Sequence, residues 1–125
     1  MKKKEDDLTF EIQFYEGLIK KKPDFVEALA ALGDIYTKQG FYEKGLTIDR
    51  KLSVLRPEDP NVFYNLACSY SLVNNIDQAL AAMQQATEYG YHDFDYLQKD
   101  SDLENLRRDT RFEHFLANVK NKKSP

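Results

Sequence analysis

The stretch Pro23–Arg56 is repeated immediately after itself, and that repeat limits the chain to very few architectures. Adding 34 to the numbering carries Leu29 to Phe63, Leu32 to Leu66, Gly33 to Ala67 and Tyr36 to Tyr70. The same step takes Gly40 to Asn74, Tyr42 to Ile76, Gly45 to Ala79, Leu46 to Leu80 and Leu52 to Ala86. Large apolar residues replace large ones, and small replace small. A fixed period of this length is the signature of stacked helical hairpins, each too small to bury its apolar face alone. The chain is therefore expected to be all-α, with about seven helices.

Start and stop signals divide the chain accordingly. Leu8, Ile12, Tyr15, Leu18 and Ile19 line one face of a first helix, expected from about residue 6 to 22. Lys20, Lys21 and Lys22 suit its negative end, and Pro23 stops it. Asp24 with Glu27 has the spacing of a capping box for the next helix, and Gly40 suits its C-terminal turn. A further helix runs to about Leu55, before Pro57. In the second copy Asp59 precedes Pro60, a favoured pair for a cap and first helical residue. Asn74 takes the turn position, and Asn75 with Gln78 caps the following helix, which Gly90 closes. The period then fails. A short helix is expected near Phe94–Lys99, Ser101 with Glu104 is expected to cap a second, and Asp109 a third that bears Phe112, Phe115, Leu116 and Val119. The two ends, residues 1–5 and the closing NKKSP, are expected to be loose.

The matched positions resemble the tetratricopeptide repeat (TPR) family. Its pattern appears as Leu29, Leu32-Gly33, Tyr36, Gly45, Asp49, Leu52 and Pro57 in residues 26–59. In residues 60–93 it appears as Phe63, Leu66-Ala67, Tyr70, Ala79, Met83, Ala86 and Tyr91. Residues 6–22 look like the second helix of a hairpin without its first, with Glu11 at the small-residue position. Residues 94–120, with Asp-Ser-Asp-Leu, Leu-Arg and Arg-Phe, look like the element that closes such arrays in bacterial proteins. The resemblance implies an antiparallel helix-hairpin solenoid of two repeats with a cap at each end. Asp49 departs from the pattern, because an apolar residue is expected there. A buried carboxylate needs a partner, and Tyr36, Arg50 and Asn65 lie within its reach.

The resemblance also implies a protein-binding groove lined by the first helix of each hairpin. Carried over residue by residue, its face comprises Glu27, Ala30, Asp34, Thr37 and Lys38, then Asn61, Tyr64, Asn65, Cys68, Ser71 and Leu72. Tyr64 has the rigid amphipathic surface common at interaction hot spots. Family members that grip a C-terminal carboxylate do so with Lys and Asn. Here Ala30, Asp34 and Cys68 hold those places, which argues against such a clamp. Asp34 and Glu27 favour a neutral or basic partner.

Other functional classes find little support. Net charge is -3 with interspersed signs, and Lys2–Lys4 and Lys120–Lys123 are short end clusters rather than a nucleic-acid-binding stripe. Glu5, Asp6 and Asp7 stand where a signal peptide needs an apolar run, and no window is long enough to span a membrane, so a cytoplasmic protein is expected. Cys68 is the single cysteine, which excludes an internal disulfide. His92 and His114 are 22 residues apart and pair with no second ligand at metal spacing. The acids Asp93, Asp95, Asp100 and Asp102 lack the glycine and final glutamate of a calcium loop. No phosphate-binding glycine loop and no nucleophile–base spacing is present. The expectation is a non-enzymatic module without cofactor or metal that binds a protein or peptide. Self-association through its ends or convex face is the alternative. An enzyme would instead need a deep pocket of converging titratable groups.

Overall fold

Three helix endings show how the sequence is punctuated. At Gly40 (φ +84°) the backbone turns left-handed, Gly40 N–H donates to Thr37 O (3.1 Å) and Phe41 N–H to Tyr36 O (2.8 Å). Asn74 (φ +62°) repeats this, with Asn74 N–H on Ser71 O (2.9 Å) and Asn75 N–H on Tyr70 O (2.9 Å). Gly90 does so again, with Tyr91 N–H on Ala86 O (2.9 Å). Each is a Schellman motif, which satisfies carbonyls that the ending helix leaves without partners. At the first, the ring of Phe41 also meets that of Tyr36 edge-on, 6.3 Å between centroids.

The computed structural model describes the backbone of residues 2–123 and the side chains of 8–122. The helices are α1 (Lys2–Lys21), α2 (Val26–Lys38), α3 (Tyr42–Leu55), α4 (Pro60–Leu72) and α5 (Ile76–Glu88). After them come α6 (Phe94–Leu97), a 3-10 turn (Ser101–Leu103), α7 (Glu104–Arg107) and α8 (Thr110–Lys123). No strand occurs among the described residues, which form eight α-helices, so the fold is all-α as expected. The 34-residue offset is kept in three dimensions: α4 begins and ends 34 positions after α2, and α5 begins 34 after α3.

The chain divides into two compact units, Met1–Pro57 and Glu58–Pro125. In the first, α2 packs between α1 and α3. The half-buried residues of α1 are Leu8, Ile12, Tyr15, Leu18 and Ile19, the stripe expected from their spacing. Leu29, Leu32, Tyr36, Leu46 and Leu52 are buried, each apolar side chain contributing about 1.5–3 kcal/mol. The α2–α3 crossing depends on two glycines. A Cβ on Gly33 would lie 3.0 Å from Ile48 Cγ2, and one on Gly45 only 2.7 Å from Thr37 Oγ1. Asp49 is buried beside this crossing, its Oδ1 3.4 Å from that same Gly33 Cβ position. Tyr36, one of the partners expected for it, donates a hydrogen bond from its hydroxyl to Glu16 Oε2 of α1 (2.5 Å).

In the second unit α4 pairs with α5, and the 3-10 turn and α7 pack on α4. Ala67, Ala79, Met83 and Ala86 are enclosed at the α4–α5 contact, and Leu97, Leu103 and Leu106 are enclosed within the closing segment. α8 adds Phe112 and Phe115 to the core. Arg111 links α8 to α5 through Asp77 (2.8 Å) and also pairs with Asp109 (3.0 Å).

Several expected boundaries need correction. Asp24 does not cap α2: Pro23 and Asp24 form a turn in which Phe25 N–H bonds Lys22 O (3.1 Å), so Phe25 occupies the cap without a side-chain bond. Ser101 is not a cap either, because Asp100 takes that place and accepts from Asp102 N–H (3.0 Å). Helix α1 starts at Lys2 and α8 continues to Lys123, so most of the residues expected to be loose are helical. The rest of those, residue 1 and residues 124–125, lie outside the described residues. Asp59, Asn75 and Asp109 do accept backbone N–H groups as their positions predict.

Candidate protein-interaction surface

The residues expected to form one binding face meet different fates in the two units. On α2, Glu27, Ala30, Asp34 and Lys38 are exposed. Their spacing places them along one side of the helix. Asp34 and Lys38 form an i,i+4 ion pair (2.8 Å), and that bond raises the Lys38 pKa. Much of the charge expected from Asp34 is thereby neutralised locally, leaving Glu27 as the formal charge of this face. Thr37 is turned elsewhere. Its hydroxyl donates to Gly33 O (3.0 Å) and fills the space above Gly45, so it belongs to the α2–α3 contact.

On α4 the corresponding face is occupied by the chain itself. Asn61 and Asn65 are exposed and Leu72 is half-buried, but Tyr64 is only 6% exposed and Ser71 0%. The Tyr64 ring stacks on Tyr91 at 4.3 Å with 11° between planes, and Tyr96 lies 6.2 Å away. The Tyr64 hydroxyl donates to Asp100 Oδ2 (2.6 Å), and the Cys68 thiol reaches the same oxygen at 3.8 Å. One turn on, Ser71 Oγ accepts Leu106 N–H (3.1 Å) and Ser71 O accepts Asn105 Nδ2 (3.0 Å). Arg107 fastens the segment by donating to Leu97 O (3.0 Å) and Asp100 O (2.6 Å). Tyr64, Cys68 and Ser71 thus contact the closing segment, which corrects the expectation that they face a partner.

This packing explains the ionisation of the tyrosines. Burial, then the neighbouring Cys68 and Asp100, raises the Tyr64 pKa strongly, and burial pushes Tyr91 up to about 12. In the first unit burial and the Glu16 carboxylate push Tyr36 to about 12. All three phenols are hydrogen-bonding groups held neutral at ordinary pH.

A cavity of about 200 Å³ lies among Lys22, Asp24, Phe25, Val26, Glu27, Leu55 and Arg56. Its two cations and two carboxylates are of mixed sign, and Lys22 rests on the Phe25 ring (5.3 Å). His92 and His114 are exposed. Among the described residues no group of three His, Cys, Asp or Glu side chains is placed to hold a metal, and no helix is long and apolar enough to cross a membrane.

The MamA fragment from position 41 to its end, from Desulfovibrio magneticus RS-1, superposes with a TM-score of 0.69 at 15% identity, covering 96% of this chain and 70% of that one. The MamA RS-1 ArsTM double mutant gives 0.72 at 20% identity, covering 94% and 68%. The fold is a TPR-like helical repeat. No family model matches the chain. Among curated sequences, a protein of Arabidopsis thaliana named as chloroplastic is 37% identical over 113 residues, which take in 85% of this chain and 33% of that protein. The TPR-like chain therefore spans about a third of that relative's length. The relative's name places it in the chloroplast, so the cytoplasmic location expected from the sequence draws no support from it.

Proposed function

We propose that this chain is a non-enzymatic TPR-like interaction module, with repeats at 26–59 and 60–93 and closing elements at 6–22 and 94–120. It takes up a protein segment along the outer face of α2. One observation carries the reading: Tyr64 and Cys68 of α4 are covered by the chain's own closing segment, whereas Ala30 and Asp34, at the same register on α2, are exposed. Ala30 gives room for close approach between Glu27 and the Asp34–Lys38 pair. Such a surface favours an extended segment with a neutral or singly basic residue over a C-terminal carboxylate. In the second unit, Asn61 and Asn65 offer amides of the kind that bond a peptide backbone.

The test is affinity capture with the unmodified chain and with Ala30→Arg, partners being identified by mass spectrometry. Ala30 is exposed and helical, so the arginine leaves the melting temperature within about 1 °C while blocking the face. Proteins held by the parent and lost from Ala30→Arg support the reading. Equal recovery by both overturns it.

A further inference from the structure

Four charged side chains meet at one end of the first unit without pairing. Short turns join α1 to α2 and α2 to α3, so the last residues of α1 and α3 arrive beside the start of α2. There Lys22, Asp24, Glu27 and Arg56 line the cavity of about 200 Å³, with Phe25 and Leu55 between them. Asp34 pairs with Lys38, and Glu104 with Arg108, within single helices. The four at the cavity behave differently: among the described residues none of their side chains makes an ion pair or a hydrogen bond. Lys22 is steadied by another contact, its Nζ 5.3 Å from the centre of the Phe25 ring, which leaves its N–H groups to a ligand. Arg56 is fixed through its backbone N–H on Leu52 O (2.8 Å), and its side chain is exposed. Glu27 belongs both to the cavity and to the exposed face of α2, so a segment lying on that face reaches the cavity.

We propose that this cavity is the specificity pocket of the α2 face and takes one acidic and one basic side chain from the same protein segment. The inference rests on the α2 reading above. The acidic side chain lies between Lys22 and Arg56, and the basic one between Asp24 and Glu27. Asp34 takes no part, because Lys38 already answers it. Size sets the spacing of the two. A volume of 200 Å³ is about 7 Å across, which is the distance from residue i to i+2 in an extended chain, whose side chains share one face. The segment recognised therefore reads acid–any–base, or the same in reverse. A segment carrying only one sign of charge makes one of these pairs and forfeits the other.

A displayed random-peptide library, each peptide fused through its C-terminus so that every acid is a side chain, tests this. It is panned against the parent chain, Ala30→Arg, and Lys22→Gln combined with Arg56→Gln. Peptides enriched on the parent and lost from Ala30→Arg should carry the acid–any–base couplet. A synthetic peptide from that set should bind the parent about tenfold more tightly than the same peptide with its acid made an amide. The glutamine pair should erase that difference, leave the affinity of the amide peptide unchanged, and melt within about 2 °C of the parent, since both side chains are exposed. Peptides that need Ala30 but lack the couplet, or an acid preference that survives the glutamine pair, overturn the proposal and leave the α2 reading standing. Peptides indifferent to Ala30→Arg, or none enriched at all, overturn both. Binding of free glycine to the parent with a Kd below about 1 mM would make the cavity a site for a small zwitterion, and overturns the proposal too.

Discussion

Tyr36 and Tyr91 couple the stability of this fold to alkaline pH. Both are neutral in the folded chain and have pKa values pushed from 10 to about 12 by burial, with Glu16 adding to the effect at Tyr36. The folded state therefore holds its phenol protons more tightly than the unfolded one. Their stabilisation is complete below pH 10 and is lost as pH rises through about 12. Melting temperatures should fall over that window, and Tyr91→Phe should flatten the decline by removing one titrating group. An equally steep fall in the variant would count against this assignment. Neither environment is visible in the sequence. Tyr36 and Tyr70 share one repeat position, and nothing in the period says that Glu16, from an unmatched helix, bonds the first. Tyr64 is a similar case, since an exposed tyrosine and one stacked on Tyr91 have the same local spacing.

At the scale of elements, the α2–α3 crossing makes a sharper claim. Replacing a helical glycine by alanine ordinarily gains about 1 kcal/mol. At Gly45, however, the new methyl would stand 2.7 Å from Thr37 Oγ1, which is itself bonded to Gly33 O. Gly45→Ala should therefore destabilise the chain by about 1 kcal/mol, and adding Thr37→Ala should recover most of the loss. Urea denaturation of both single variants and the double measures this coupling. The repeat alone already marked positions 33, 45, 67 and 79 as small. Helix ends were equally readable where one residue controls them, as at Gly40, Asp59, Asn74 and Asn75. Reading failed where two neighbouring residues compete: Asp24 lost to the Pro23 turn, and Ser101 to Asp100. The exposure of the residues proposed for binding was half legible. Glu27, Ala30, Asp34 and Lys38 are exposed as expected, but Tyr64, Cys68 and Ser71 depend on residues 91–107, which lie outside the period.

For the molecule as a whole, the closing segment is part of the second unit's core rather than a tail. Leu97, Leu103 and Leu106 are fully enclosed, worth together about 6 kcal/mol, a large share of the 5–15 kcal/mol typical of a domain. Ending the chain after Gly90 should thus abolish cooperative unfolding of Glu58–Gly90. Hydrogen exchange would show α4 and α5 amides losing protection, and retained protection would refute this account of the core.

The Tyr64–Tyr91 stack has an optical consequence. With no tryptophan in the sequence, the near-ultraviolet dichroism of this chain comes chiefly from tyrosine and phenylalanine. Two phenol rings 4.3 Å apart and 11° from parallel are close enough for their transitions to mix, so their band reports directly on whether residues 91–107 lie on α4. Lifting that segment while the helices persist would erase the band and leave the far-ultraviolet spectrum nearly intact. The molecule thus carries its own unlabelled gauge of whether the α4 face is covered or free.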